Sequence, residues 1–395
     1  MSDWKVFQGS QKSAAAKLKQ LLSVSAPSWR QFDDKTESWY AKERSAYWKG
    51  LRDIAEKRTR DRERGERFRL RITNSPTLHK RKQDSAANPY AEVIEAVNAA
   101  LYLRRPLMIT GRPGSGKTSL AYALAHELNL GPVLLWPITT RSSLVRDGLY
   151  KYDAIARLQD AQLGEQLGKI ATLDEEKSSE EKSAAVEKTA TDFKNIGQYI
   201  QLGPVGTAFV PSAVPRVLLI DEIDKSDINL PNELLNLFEE GEFEIPELKR
   251  LSKSGTESQT VESDDGLSVP IQKGTVRCKE FPIIIMTSNG ERDFPPAFYR
   301  RCLRVRMPNP SKAALQEIVK AHLGEENVEQ FNHVIDYFVD ENQRETSDRL
   351  PTDSLLNLIY LLAQQPASAS QDLDKSTLRK LLFNPLSDEN GADDD

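Results

Sequence analysis

Residues 108–119 bring together three glycines, a lysine and a threonine in the order MITGRPGSGKTS. Gly111, Gly116, Lys117 and Thr118 satisfy the spacing G-x-x-x-x-G-K-[ST], between an apolar run and helix-forming residues. A loop that wraps a phosphate chain must point successive N–H groups inward, and this requires glycine torsions. We expect Lys117 to reach the β- and γ-phosphates and the Thr118 hydroxyl to hold Mg²⁺. The predicted nucleotide-binding residues of this loop are Gly111, Arg112, Pro113, Gly114, Ser115, Gly116, Lys117, Thr118 and Ser119.

An acid pair follows the apolar run in RVLLIDEIDK. The run predicts a strand that delivers Asp221 and Glu222 to its C-terminal end, where ligands bind in parallel sheets. Asp221 would contact Mg²⁺ and also counts among the nucleotide-binding residues. Glu222 would act as the base that polarises the attacking water. Paired acids alone often mark a helix cap, but after a phosphate loop they indicate hydrolysis.

Two further segments carry polar groups that such a reaction could use. Asn289 ends the apolar run IIIMTSN, where its amide could orient the water, or it could be a simple turn residue. Arg300 and Arg301 lie in PPAFYRRCLRVRM, between a short predicted helix and a strand. An arginine there could donate to the γ-phosphate held by a neighbouring subunit, an effect worth roughly 10³–10⁵ in rate. That role would require a ring of subunits.

The elements that position these residues alternate between strand and helix over residues 86–310. Continuous apolar runs predict buried parallel strands, which places the domain in the α/β class, with a five-stranded parallel sheet sandwiched by helices. Residues 311–388 have helical apolar spacing and predict a small all-helical domain, before an acidic tail at 389–395. The five predicted strands are RPLMITG, VLLWPI, RVLLIDEID, FPIIIMTSN and CLRVRMP.

Three segments depart from this alternation. Residues 1–85 carry four of the five tryptophans and a mixed-charge run, and predict a helical N-terminal extension. Its aromatic stripe would pack on the neighbouring domain or dock a partner; nucleic-acid binding is less favoured, because acids interrupt the basic run. Residues 160–195 predict a polar surface insertion, part helix and part disordered. Residues 241–280 predict a hairpin insertion with a long flexible polar tip.

Composition narrows the function classes. The 395 residues are 38% hydrophobic and 29% charged, with a formal net charge of -5, so there is no global attraction to nucleic acid. Cys278 and Cys302 are the two cysteines, which excludes a disulfide framework and fits a reducing compartment. The four histidines lack metal-ligand spacing. Because no run has signal-peptide or membrane-spanning length, we expect a cytoplasmic protein without membrane insertion.

Taken together, GRPGSGKT, LLIDEIDK, TSN and AFYRRC, followed by a helical domain, resemble a P-loop NTPase of the AAA+ class. The subgroup that the chain resembles most is MoxR, through DEIDKSDINLPNELLNLFEEGEFEIPEL, where a helix after the acid pair leads to a hairpin. The resemblance covers residues 90–365. The long form with a Trp-rich N-terminal region also resembles members from bacterial multi-gene conflict, or defence, systems.

The resemblance implies a ring, usually a hexamer, with ATP and Mg²⁺ at each subunit interface and a helical lid. Hydrolysis would move loops that act on a protein client, sometimes with a von Willebrand factor A domain protein as partner. Arg301 matches the family's finger arginine, while Arg300 stands where the family usually has aspartate. Arg349 is the candidate for the nucleotide-sensing arginine of the lid, or else a surface arginine beside a helix.

Three functions remain open at this point. The leading one is an ATP-driven, chaperone-like remodelling enzyme. The second is a nucleic-acid-acting or GTP-using restriction-type motor, against which stand the acidic net charge and the lack of a dense basic-aromatic groove. The third is a slow, nucleotide-gated assembly scaffold. The residues do not decide between ATP and GTP.

Overall fold

The computed structural model describes residues 4–10, 15–32, 37–68, 89–139, 145–173, 195–212, 214–343 and 351–364. Three predictions lie outside the described residues: the lid arginine Arg349, the end of the polar insertion at 174–194, and the helix and acidic tail expected within 365–395. Among the described residues, no helix is long and apolar enough to cross a membrane.

Strands and short helices alternate through the middle of the chain. The strands are β1 Leu107–Thr110, β2 Leu134–Pro137, β3 Tyr150–Tyr152, β4 Ile200–Leu202, β5 Val217–Asp221, β6 Glu242–Glu244, β7 Ser258–Glu262, β8 Ser268–Gln272, β9 Thr275–Arg277, β10 Ile283–Ser288 and β11 Leu303–Arg306. The helices are α1 Ala15–Ser23, α2 Glu37–Lys57, α3 Thr59–Arg67, α4 Ala91–Leu103, α5 Lys117–Leu128, α6 Val145–Leu149, α7 Ala154–Leu173, α8 Pro204–Ala208, α9 Leu230–Glu240, α10 Pro246–Ser252, α11 Pro296–Arg301, α12 Lys312–Leu323, α13 Glu325–Gln330, α14 Asn332–Gln343 and α15 Thr352–Ala363.

The central sheet has five parallel strands in the order β11-β1-β10-β5-β2. These are the five strands that the sequence predicted. Alternate residues of β5 enter opposite cores: Leu218 and Ile220 pack in one hydrophobic cluster, and Val217 and Leu219 in the other. The sheet is therefore covered on both faces, and its carboxyl edge gathers the ends of β1, β5 and β10.

A second sheet has the strand order β3-β4-β7-β8-β9-β6 and contains the predicted hairpin insertion. Its flanks agree with the prediction, because β6 pairs antiparallel with β9. The polar segment between them is not the long flexible tip that the composition suggested. It forms α10 and β7, and β7 pairs with β8 and β4. The alternation of buried and exposed side chains along β7 and β8 explains the difference, since Val261 and Val269 are buried while their polar neighbours face outward.

The described part of the N-terminal region packs on the central domain, which is one of the two roles expected for its aromatic stripe. Leu51 is fully buried, and Trp48 packs against the same core as α5. The backbone N–H groups of Val6 and Phe7 both donate to Asn98 Oδ1 on α4, at 2.8 and 2.9 Å. The described segments of the region thus share the core of the central domain.

The helices after β11 form a small core of their own, as the apolar spacing predicted. Leu315, Val319, Ile335, Phe338 and Leu355 lie in one buried cluster contributed by α12, α14 and α15. Ser311 caps α12 by accepting a hydrogen bond from the Ala314 N–H. This helical part supplies one wall of the cavity described below.

A buried ion pair joins the two sheets to the N-terminal helices. Arg216, directly before β5, places an Nη 2.9 Å from an Asp265 carboxylate oxygen in the β7–β8 turn, and both side chains are almost completely buried. Tyr47 of α2 accepts a hydrogen bond from Arg216 at 3.2 Å, and Arg58 lies 3.7 Å from Asp265. Burial opposes the charge on Arg216, but Asp265 and Tyr47 outweigh it and raise the pKa of the guanidinium.

Asp265→Ala is expected to lower the free energy of unfolding by about 3–5 kcal/mol, because it leaves the buried charge of Arg216 without its partner. Urea unfolding followed by tryptophan fluorescence measures this. Glu95→Ala is the matched control, since it removes one partner of an exposed pair with Lys5 and should cost less than about 1 kcal/mol. The double variant Arg216→Met/Asp265→Leu should recover most of the loss. If the single and double variants were equally destabilised, the loss would not come from the unpaired charge of Arg216.

Candidate active site

The predicted phosphate loop lies between β1 and the N-terminus of α5, as the motif requires. Gly114 and Gly116 have φ values of 73° and 90°, which a residue with a side chain rarely adopts. A Cβ on Gly114 would lie 2.8 Å from the backbone nitrogen of Thr352, and one on Gly116 would lie 2.5 Å from the ring of Phe68. Torsion and close approach therefore both demand glycine at these two positions.

Lys117 opens α5 with its side chain folded along the loop. Its Nζ donates to the carbonyl oxygens of Gly111 and Arg112, both at 2.7 Å, and to Asn289 Oδ1 at 2.9 Å. Burial lowers the pKa of the ammonium group, and Asp224, Asp221 and Glu222 act in the opposite direction. The loop lysine and the predicted water-orienting asparagine are therefore in direct contact.

Asp221 and Thr118, the predicted metal residues, are also in contact. Thr118 Oγ1 donates to Asp221 Oδ1 at 3.0 Å, and Thr287 Oγ1 donates to the same oxygen at 2.6 Å. Magnesium is commonly held by one or two carboxylates together with substrate phosphates, so this oxygen pair beside the loop fits that ion. The described residues contain no cluster of three acidic, histidine or cysteine side chains that could hold a metal without a phosphate.

The predicted base, Glu222, follows β5 in a left-handed conformation with φ 60°. Such a conformation costs about 1–3 kcal/mol in a residue other than glycine. Its N–H donates to Thr287 Oγ1 at 2.9 Å, which helps to hold the turn. The Glu222 side chain is 42% exposed, and its carboxylate accepts a hydrogen bond from Lys225 Nζ at 2.9 Å, which raises the pKa of Lys225. The turn thus leaves a solvent-accessible carboxylate directly after Asp221 at the end of β5.

Two residues that the motif analysis did not single out hold this arrangement together. Asp224 is buried, and its Oδ2 accepts hydrogen bonds from the N–H groups of Asn289 and Glu291 at 2.8 and 3.2 Å. Thr287 connects Asp221 to Glu222 through the two bonds given above. Asp224 could have been suspected as the second aspartate of DEID. Thr287 belongs to the TSN motif, but the motif alone gives it no role, because that role depends on β10 lying beside β5.

Arg300 and Arg301 lie at the end of α11, and their hydrogen bonds do not involve the loop residues. Arg301 Nε donates to Glu239 Oε1 in the last turn of α9, which raises the pKa of Arg301. The side chain of Arg300 is exposed, and its carbonyl oxygen accepts a hydrogen bond from Arg105. A role for either arginine at a neighbouring subunit's site stays a prediction.

A cavity of about 700 Å³ opens beside the loop. Loop residues form one side of it, the lid helices α12 and α15 form another, and α3 of the N-terminal region forms a third. The cavity is large enough for much of a nucleotide. Its lining includes Pro113, Gly114, Ser115, Gly116, Ser119, Arg60, Arg64, Arg67, Phe68, Tyr90, Ile318 and Leu356. The α3 residues in this wall were not predicted from the sequence.

Comparison with known families agrees with this geometry. Residues 106–302 match the family model described as AAA domain (dynein-related subfamily), a range that runs from the start of β1 to the end of α11. No curated protein matches the chain. The family match and the parallel five-stranded sheet flanked by helices together show that this chain carries an AAA+ domain of the P-loop NTPase fold.

Proposed function

We propose that this protein is a MoxR-type AAA+ ATPase, which binds and hydrolyses ATP in an oligomeric ring to remodel or activate a protein partner. The observation that carries the proposal is the meeting of four predicted residues at one edge of the sheet. Lys117 contacts Asn289, and Thr118 contacts Asp221, while Glu222 follows Asp221 in the chain. Phosphate binding, charge neutralisation and water activation each have a group in place there.

The chain's own residues divide the work as follows. Loop N–H groups and the N-terminus of α5 would bind the phosphates, and Lys117 would exchange one of its carbonyl contacts for a phosphate oxygen. Thr118 and Asp221 would hold Mg²⁺, which when bound neutralises phosphate charge. Glu222 would accept the proton of the attacking water, and Asn289, fixed by Asp224, would orient that water. These roles are part of the proposal.

A ring, usually a hexamer in the family that the chain resembles, is proposed because Arg300 and Arg301 contact Arg105, Glu239 and Ala297 and not their own loop. A finger supplied by a neighbour would complete each site. A protein client, a von Willebrand factor A domain partner, a cytoplasmic location and a role in a bacterial defence system are proposed from the resemblance alone. Among the residues that the structure describes, no contact specifically favours the nucleic-acid motor or the scaffold.

Lys117→Ala is expected to weaken ATP binding roughly 10- to 100-fold, the equivalent of one hydrogen bond to a charged group. The expected loss corresponds to a single hydrogen bond, because Lys117 already donates three within the chain and would exchange one of them for the phosphate. Isothermal titration with ATP and Mg²⁺ measures the affinity. Lys249→Ala is the matched control, since this exposed lysine pairs with Glu244 on the second sheet. If Lys117→Ala bound ATP as tightly as the unaltered protein, the loop would not be the phosphate site.

A further inference from the structure

Helix α3 of the N-terminal region is packed directly against the helix that follows the phosphate loop. Gly65 allows the close approach: a Cβ there would lie 2.7 Å from the carbonyl oxygen of Tyr122 and 2.9 Å from Cβ of His126, both on α5. The Arg64 guanidinium lies over the Tyr122 ring, 4.6 Å from its centroid. These contacts fix α3 against the second and third turns of α5.

Arg64 also touches the loop end of α5. Its Nε donates to Ser119 Oγ at 3.2 Å, and Ser119 directly follows Thr118 in the first turn of that helix. N–H groups in the first turn of a helix attract phosphate. Arg64 therefore adds a full positive charge to a point where an anion is already favoured.

The same side chain lines the cavity of about 700 Å³. Arg67, in the next turn of α3, is paired with Glu63 at 2.9 Å. Within the part of the chain that the structure describes, no carboxylate forms an ion pair with Arg64. A phosphate entering the cavity could thus pair with Arg64 without first displacing an acidic residue.

The cavity's lining indicates which end of a nucleotide it receives. It includes Gly114, Gly116 and Ser119, but it does not include Lys117, Thr118, Asp221 or Glu222. The last four are the groups expected around the γ-phosphate and Mg²⁺. The cavity therefore extends from the opposite end of the loop, toward the apolar side chains of Tyr90, Ile318 and Leu356. That is where the α-phosphate and the nucleoside would lie.

We propose that Arg64 binds the α-phosphate of the nucleotide, so that the N-terminal region forms one wall of the nucleotide site. The inference rests on the proposed function, because it requires a nucleotide in the loop. Its ligand class is a nucleoside di- or triphosphate. Because both share the α-phosphate, Arg64 strengthens the binding of both by the same factor, and it takes no part in the hydrolytic step.

The test measures ADP and ATP affinities of the full chain by isothermal titration. Arg64→Ala weakens both roughly 10-fold, as expected for the loss of a hydrogen bond between charged groups. Arg64→Gln, which keeps most of the stem that packs on Tyr122, produces a similar loss even if the alanine variant folds poorly. Arg62→Ala is the matched control, because Arg62 lies on the same helix, pairs with Glu66 and does not line this cavity.

Two results would overturn the inference while leaving the proposed function intact. One is wild-type affinity of Arg64→Gln for ADP and ATP; the other is a loss confined to ATP, which would place Arg64 at the γ-phosphate. If the unaltered protein bound neither nucleotide, the proposed function itself would fail. Thermal unfolding without nucleotide separates a damaged fold from a lost contact, since Arg64→Gln should lower the midpoint only slightly, through loss of the contact with Tyr122, and should show a smaller shift on adding ADP.

Discussion

Arg301→Ala is expected to bind ATP normally but to hydrolyse it about 10³–10⁵ times more slowly. In the proposed ring, this guanidinium stabilises the charge that develops on the γ-phosphate in the neighbouring subunit. Its guanidinium donates to Glu239 and to the Ala297 carbonyl oxygen and not to its own loop. Release of inorganic phosphate at saturating ATP measures the rate, and titration with ATP measures the binding.

The ion pair with Glu239 does not prevent this role. The Arg301 and Glu239 side chains are 36% and 41% exposed, and such surface pairs contribute about 0–1 kcal/mol. Contact with a desolvated triphosphate is electrostatically stronger, so Arg301 can exchange Glu239 for a neighbour's nucleotide. Arg304→Ala is the matched control, because Arg304 lies on the adjoining β11 with its guanidinium over the Tyr299 ring.

Mixing two inactive variants tests whether the finger acts between subunits. A Lys117→Ala subunit has an intact Arg301, and an Arg301→Ala subunit has an intact phosphate loop. Where the first adjoins the second in a ring, one complete site forms, and the mixture should recover part of the activity. Absence of recovery would contradict a shared site. Loss of activity in Arg300→Ala, with normal turnover in Arg301→Ala, would transfer the finger role to Arg300.

The central sheet could be predicted from the sequence because its signals are local. Each strand is a continuous apolar run, and the glycines of the loop are dictated by torsions within a few residues. The contact between Lys117 and Asn289 could be expected because both follow parallel strands whose carboxyl ends share an edge. In the structure Lys117 Nζ donates to Asn289 Oδ1, as the shared sheet edge predicts.

The remaining features depend on contacts between distant segments. Asp265 lies in a polar stretch that resembles a surface loop, yet its side chain is buried because Arg216, in another part of the chain, supplies the opposite charge. Arg64 belongs to a mixed-charge run without periodic signal, and its meeting with Ser119 depends on the close packing at Gly65. No local pattern encodes either pairing. The sequence left open whether the N-terminal region packs on the neighbouring domain or docks a partner, and it gave no sign that α3 would line the cavity beside the phosphate loop.

Glu222→Gln is expected to lower ATP hydrolysis about 10²–10⁴-fold, the range associated with loss of a general base. Glutamine has nearly the same shape and can still accept a hydrogen bond from Lys225, but its amide cannot take a proton from water. The Asp221–Thr118 contact does not involve Glu222, so ATP affinity should change little. Phosphate release and ATP titration on the same preparation separate the two effects.

Glu240→Gln is the matched control for this substitution, because Glu240 is an exposed acid at the end of α9 and should be dispensable. Normal turnover in Glu222→Gln would remove Glu222 from the role of base. A comparable loss of ATP affinity would instead mean that the carboxylate helps to hold the bound nucleotide. Normal turnover would be the more informative of these two outcomes, because of the left-handed turn at Glu222. The turn, with its strain of about 1–3 kcal/mol, keeps Glu222 directly after Asp221 at the sheet edge, which is where a base for the attacking water is expected.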